Sequence, residues 1–106
     1  MPNDFKWNKK LVDDLFNGLG DKMELVGQYV EGQAIKNITD MNAVDSGRLK
    51  NSITHVTDKK ELTTTIGTNV EYAPFVELGA VKMAPRPFLR LALIESENKI
   101  KEILKR

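Results

Sequence analysis

Between Lys9 and Ile38 the apolar residues Val12, Phe16, Leu19, Met23, Val26 and Val30 recur at alternating steps of four and three. That spacing lays them along one face of an α-helix. Lys9, Lys10, Asp13, Asp14, Asn17, Asp21, Lys22, Glu24, Gln28 and Glu31 fill the other face, and the stripe fades at Gln33 and Asn37. Gly18 and Gly20 interrupt it chemically, since each costs about 1 kcal/mol against alanine in a helix interior. Yet Phe16, Leu19 and Met23 keep phase across them. The pattern predicts one long helix with a kink or a close packing contact at the glycines. Two helices in line, the second capped by Asp21, are the alternative. The outer residues lack regular paired charges, so a core-covering helix fits better than a coiled coil.

Thr39 to Ala43 reads TDMNA, a cluster of cap and turn formers that should break the helix. Asp45 or Ser46 is placed to cap a short helical turn through Asn51, with Leu49 inward and Arg48 outward or toward a partner. Thr54–Thr57 and Leu62–Ile66 read as the strands of a hairpin, joined by the polar loop Asp58-Lys59-Lys60-Glu61. Leu62, Thr64 and Ile66 would share one face, Thr63 and Thr65 the other. Two polar strands are marginal alone, so the hairpin must rest on the long helix, a third strand or a neighbouring subunit.

Pro74 suits the first turn of a short helix through Leu78, stopped at Gly79. Pro85 and Pro87 flank Arg86 and keep residues 80–86 out of regular helix. From Pro87 a last helix should carry Leu89, Leu93, Ile100 and Ile103 on one face, with Phe88, Ala92 and Leu104 alongside. Lys105 and Arg106 suit the negative end of its dipole. The predicted class is α+β: a long N-terminal helix and a C-terminal helix packed on a small antiparallel sheet. One domain should span residues 1–106, with 1–8 as a flexible N-terminus.

Composition narrows the functions. At 106 residues there is room for one modest core, and 41% apolar with 29% charged residues is ordinary for a globular chain. There is no cysteine, which excludes disulfides, thiolate metal sites and a cysteine nucleophile. One histidine cannot build a multi-histidine metal site. Sixteen basic against fifteen acidic residues give a net charge of +1, which argues against electrostatically driven nucleic-acid binding. No apolar run approaches a membrane span, and the N-terminus lacks the apolar core of a signal peptide.

The segment from Gly67 to Leu89 is the least ordinary. It holds three of the four prolines, Tyr72 and Phe75, and a charged pair, Glu77 and Arg86, in apolar surroundings. As a general base Glu77 would need a titratable partner and a pocket, and no acid pair or nucleophile–base pair stands at useful spacing. A structural ion pair with Arg86 or Arg48, within or between subunits, is the stronger reading. His55, alone in a Thr-rich strand, reads as a surface or half-buried side chain.

Three blocks in order, VDSGRLKNSI, GTNVEYAPFVELGA and MAPRPFL, resemble the head–tail joining proteins of long-tailed bacteriophages, the "gene product ten" family of the HK ninety-seven type, also called minor tail, neck or tail-completion proteins. The resemblance covers roughly residues 40–95. The matching positions are Asp45, Ser46, Gly47, Arg48, Leu49 and Ser52; then Gly67, Thr68, Tyr72, Ala73, Val76, Glu77 and Gly79; then Arg86, Pro87, Phe88 and Leu89. Ser46 stands where threonine is usual, Leu78 where an aromatic is usual, Ala80 where threonine is common and Ala43 where proline is common.

The resemblance implies a non-enzymatic structural protein of a phage or prophage, with no cofactor. It would join head to tail or complete the tail as a homo-oligomeric ring at the neck or tail end, while being monomeric in isolation. Its partners would be the connector or tail-tube protein. Its place would be the virion, after assembly in the host cytoplasm. Asp45, Ser46, Gly47, Arg48, Leu49, Tyr72, Glu77, Gly79, Arg86, Pro87 and Phe88 would serve structure and assembly. The alternative from the residues alone is a small nucleic-acid-binding regulator, using Arg48, Lys50, Lys59 and Lys60 as a local basic patch.

Overall fold

The computed structural model describes residues 9–41, 46–79 and 84–106. Expectations about residues 1–8, Asp45 and the loop 80–83 lie outside these. Helix α1 (Lys9–Met41) is a single continuous helix that ends inside the Thr39–Ala43 stretch expected to break it. Thr39 turns its hydroxyl back onto the Ile35 carbonyl at 3.0 Å, which satisfies the side chain within the helix instead of competing with it.

The glycines of α1 have different roles. A Cβ at Gly18 would meet nothing within 4 Å, whereas one at Gly20 would lie 2.8 Å from Lys59 Cβ. Gly20 is therefore the close packing contact, and the tip of the hairpin sits on it. Gly27 is a second such contact, described with the site below.

Short helix α2 (Ser46–Ser52) follows, and then the hairpin β1 (Thr54–Asp58) and β2 (Thr63–Gly67). The strands are antiparallel, with His55 opposite Ile66 and Thr57 opposite Thr64. These four residues are half-buried and face α1, while Thr54, Val56, Thr63 and Thr65 face outward. Asp58 Oδ1 accepts the amides of Lys60 and Glu61 at 3.0 and 3.1 Å, which holds the loop. Leu62, expected to open the second strand, belongs to the turn, where its φ of 53° is left-handed.

Helix α3 (Ala73–Leu78) leads to α4 (Phe88–Glu95) and α5 (Glu97–Lys105). The single C-terminal helix expected from the spacing is thus two. Ser96 divides them with φ −90° and ψ −2°, and its side chain is fully buried with no hydrogen-bond partner for Oγ. The bend turns α5 back along α1, where Lys22 Nζ donates to the Arg106 carbonyl.

The core runs along α1 through Val26, Val30, Ala34 and Ile38 and is closed by Leu49, Ile53, Phe88, Ala92 and Ile103. The stripe therefore continues past the point where it seemed to fade. Gln33 and Asn37 flank it and form polar ties to α4. Asn37 Nδ2 donates to the Phe88 carbonyl at 3.2 Å and to Glu95 Oε1 at 2.9 Å. Leu93 and Leu104, expected on or beside the packed face, are exposed, because α4 buries the side that carries Phe88 and Ala92 and α5 the side that carries Ile103, and each leucine stands one position, about 100°, round the helix from it.

Candidate assembly surface

The geometry centres on the corner between α3 and α4. Pro74 occupies the first turn of α3, where a missing N–H leaves no bond unmade. Gly79 closes the helix by donating its amide to the Phe75 carbonyl at 2.9 Å. Its φ of 86° and ψ of 168° fall in a region that is essentially open to glycine alone. Arg86 donates its amide to the Val76 carbonyl at 2.7 Å, so the chain returns alongside α3 before α4 begins. Phe88 then enters the core completely.

Pro87 precedes α4 and supplies no side-chain cap. Glu77 takes that role from the neighbouring helix. Its Oε1 accepts the Leu89 amide at 2.8 Å and its Oε2 accepts the Arg90 amide at 3.1 Å. A carboxylate across the first amides of a helix satisfies donors that have no partner within the helix and faces the positive end of its dipole. This differs from the ion pair expected with Arg86 or Arg48. Glu77 fixes α3 to α4 through backbone amides, inside one subunit.

Arg48 pairs elsewhere. Its guanidinium grips Glu71 through two bonds of 3.1 and 2.9 Å and lies 5.5 Å from the Tyr72 ring centre. The guanidinium holds the Glu71 carboxyl below its ordinary range. Leu49, next in α2, is buried in the core. Gly47 is exposed, with open space where a Cβ would stand. Ser46 begins α2. The first and second sequence blocks thus meet through Arg48, Glu71 and Tyr72. The third meets the second through Glu77.

One cluster escaped the sequence reading. His55 is 15% exposed and lies between two carboxylates of α1: Nε2 is 2.9 Å from Glu24 Oε2, and Nδ1 is 3.3 Å from Glu31 Oε1, outside hydrogen-bonding geometry. The Glu24 bond raises the imidazole above its ordinary 6.5. The same bond, with help from Thr57 and Gln28, lowers Glu24 to about 2. Gly27 makes room beneath, since a Cβ there would lie 2.4 Å from Thr64 Oγ1 and 2.8 Å from His55 Cδ2. The signal in sequence was Glu24, Gly27 and Glu31 at steps of three and four on one helix face, opposite a strand with one histidine. The cluster docks the hairpin on α1. Among the described residues no group of acidic or histidine side chains is arranged to hold a metal ion, and no helix is long and apolar enough to cross a membrane.

Several large apolar side chains of α3 and α4 are exposed. Phe75 is 56% and Leu78 74% exposed on α3, and Leu91, Leu93 and Ile94 are exposed on α4. Two of the four residues of the basic patch considered from sequence are paired with carboxylates, Lys59 with Asp21 at 2.8 Å and Arg48 with Glu71 at 2.9 Å.

A family model described as bacteriophage HK97-gp10, a candidate tail component, matches residues 6–79. The chain belongs to the HK97-gp10-like family. No curated protein and no solved structure matches it. The family is one of structural components of phage tails. The matched residues run from before α1 to Gly79 and take in the Arg48–Glu71 and Glu24–His55–Glu31 contacts. Arg86, Pro87 and Phe88 lie beyond the match, and their link to the matched part is the Glu77 cap.

Proposed function

We propose that this tail component acts at the neck or the tail end, joining head to tail or completing the tail, as a ring of copies that forms on the connector or tail-tube protein. The observation that carries the reading is the set of exposed apolar side chains on α3 and α4. Phe75, Leu78, Leu93 and Ile94 stand exposed on helices whose ends are fixed by the Glu77 cap and by the fully buried Phe88. Leu78 and Leu93 border adjoining grooves that share Leu89, and large exposed apolar side chains on fixed helices suit an interaction site. The role needs no chemistry from the protein, and its place would be the virion after assembly in the host cytoplasm.

Complementation tests this. A phage lacking the gene should yield heads and tails that stay separate under negative stain, and the purified chain should restore joined particles. Leu78→Glu, at an exposed position, should fold normally and restore few. Normal yields of infectious, joined particles without the chain would overturn the reading.

A further inference from the structure

Among the described residues β2 has one neighbour, β1, so its other edge presents unpaired backbone groups. Two grooves of about 500 and 420 Å³ follow that edge and share Leu89. The first runs from Thr64 to Ile66, with Val30 of α1 among its lining residues and Leu93 of α4 opposite. The second continues from Gly67 to Val70 toward Leu78 of α3. Free sheet edges bind extended segments by strand addition, in which main-chain bonds give affinity and alternate side chains fill pockets. With α1 on one side and α4 on another, the opening suits one extended strand rather than a second helix-backed sheet.

The chain itself contains such a segment. Asp4-Phe5-Lys6-Trp7-Asn8 alternates polar and aromatic residues, so that an added strand of this sequence would carry Phe5 and Trp7 on one face. Aromatic side chains of this size bury about 150–250 Å² each. Its own groove is out of reach. Phe5 stands within about 14 Å of Lys9 even when the chain is fully extended. The near end of the groove, where Thr64 lies over Gly27, is about 27 Å along α1 from Lys9.

We infer that Phe5 and Trp7 of one copy enter the groove beside β2 of a second copy and extend its sheet. The contact joins different surfaces of the two copies, the head-to-tail arrangement that gives a ring when the rotation between copies closes. The inference rests on the reading that copies assemble and names the surfaces through which they do so.

Trp7 is the only tryptophan, so its emission reports this contact directly. The full chain is followed by fluorescence and by sedimentation over the same concentration range. The partner-bound ring concentrates the copies, so without a partner the contact should form only at high chain concentration, and the expected result is a blue shift that grows there in step with association. Leu93→Glu, at an exposed position on the groove wall, should abolish the shift while circular dichroism stays unchanged. Association with Trp7 still emitting as a solvated side chain would overturn the inference and leave the ring reading standing. So would a blue emission independent of concentration, which would place Trp7 on its own subunit. A chain that remains monomeric with Trp7 solvated at every concentration overturns it as well, and the ring reading is then judged by the complementation assay alone.

Discussion

Gly18, Gly27 and Gly32 all lie within α1, so replacing each with alanine makes the same chemical change in three environments. Alanine is favoured over glycine in a helix interior by about 1 kcal/mol. At Gly18 and Gly32 an added Cβ meets nothing within 4 Å, so that preference should appear almost undiminished, as a gain of about 0.5–1 kcal/mol. At Gly27 the Cβ would stand 2.4 Å from Thr64 Oγ1 and 2.8 Å from His55 Cδ2. The threonine can rotate, but the imidazole is held from both sides by Glu24 and Glu31. The hairpin must therefore lift, and overpacking of this kind costs about 1–3 kcal/mol. Gly27→Ala should thus be destabilising after its helix preference is subtracted, by up to about 2 kcal/mol. Urea denaturation with an unchanged m-value measures the difference. In thermal melts each kcal/mol should move the midpoint by about 4–8 °C in a domain near this size. Equal stabilisation by all three alanines would refute the docking geometry of hairpin on helix.

Glu77→Ala should cost about 1–2 kcal/mol, in the range of lost helix caps, and Glu77→Gln less, because one amide oxygen still accepts; unchanged melts for both would mean that the carboxylate does not cap α4. Gly79→Val should cost at least about 1–3 kcal/mol, because φ 86° with ψ 168° excludes a β-branched residue, and a soluble variant with wild-type stability would count against that backbone. The His55–Glu24 pair should make stability depend on pH from both sides. His55 is raised above 6.5, so its contribution is complete below that value and is lost as pH rises through its folded pKa. Glu24 is lowered from 4.5 to about 2, so its contribution is complete above 4.5 and is lost as pH falls toward 2. This pair is therefore at full strength between 4.5 and 6.5, and His55→Gln should remove the decline on the alkaline side; an unaltered pH profile in that variant would disprove the coupling.

Much of the architecture was legible because it rests on local chemistry. The phase of Leu19, Met23, Val26 and Val30 favoured one helix over two in line despite Gly18 and Gly20, and α1 is one. Asp58 announced the hairpin loop that it holds. Pro74 and Gly79 marked the two ends of α3. Less legible were positions whose meaning depends on a distant partner. Glu77 and Arg86 looked like an ion pair because opposite charges in apolar surroundings usually seek each other. In the folded chain the unpaired amides of α4 lie nearer, and a carboxylate serves them as well as it would serve a guanidinium. Ser96 looked like an ordinary residue of one helix, and its burial at a bend gave no local sign.

The residue order by itself determined most of the elements and the amphipathic face of α1, which follow from spacing along the chain, and it carried the motifs by which the family is recognised. Tertiary structure decided which glycine is a contact and which is merely permitted, since that depends on whether a strand passes within a few ångströms. It also decided that His55 sits between two carboxylates, that Glu77 caps a helix it does not belong to, and that Leu93 is left outside. Each depends on the distance between residues far apart in the chain, and no periodicity encodes that distance.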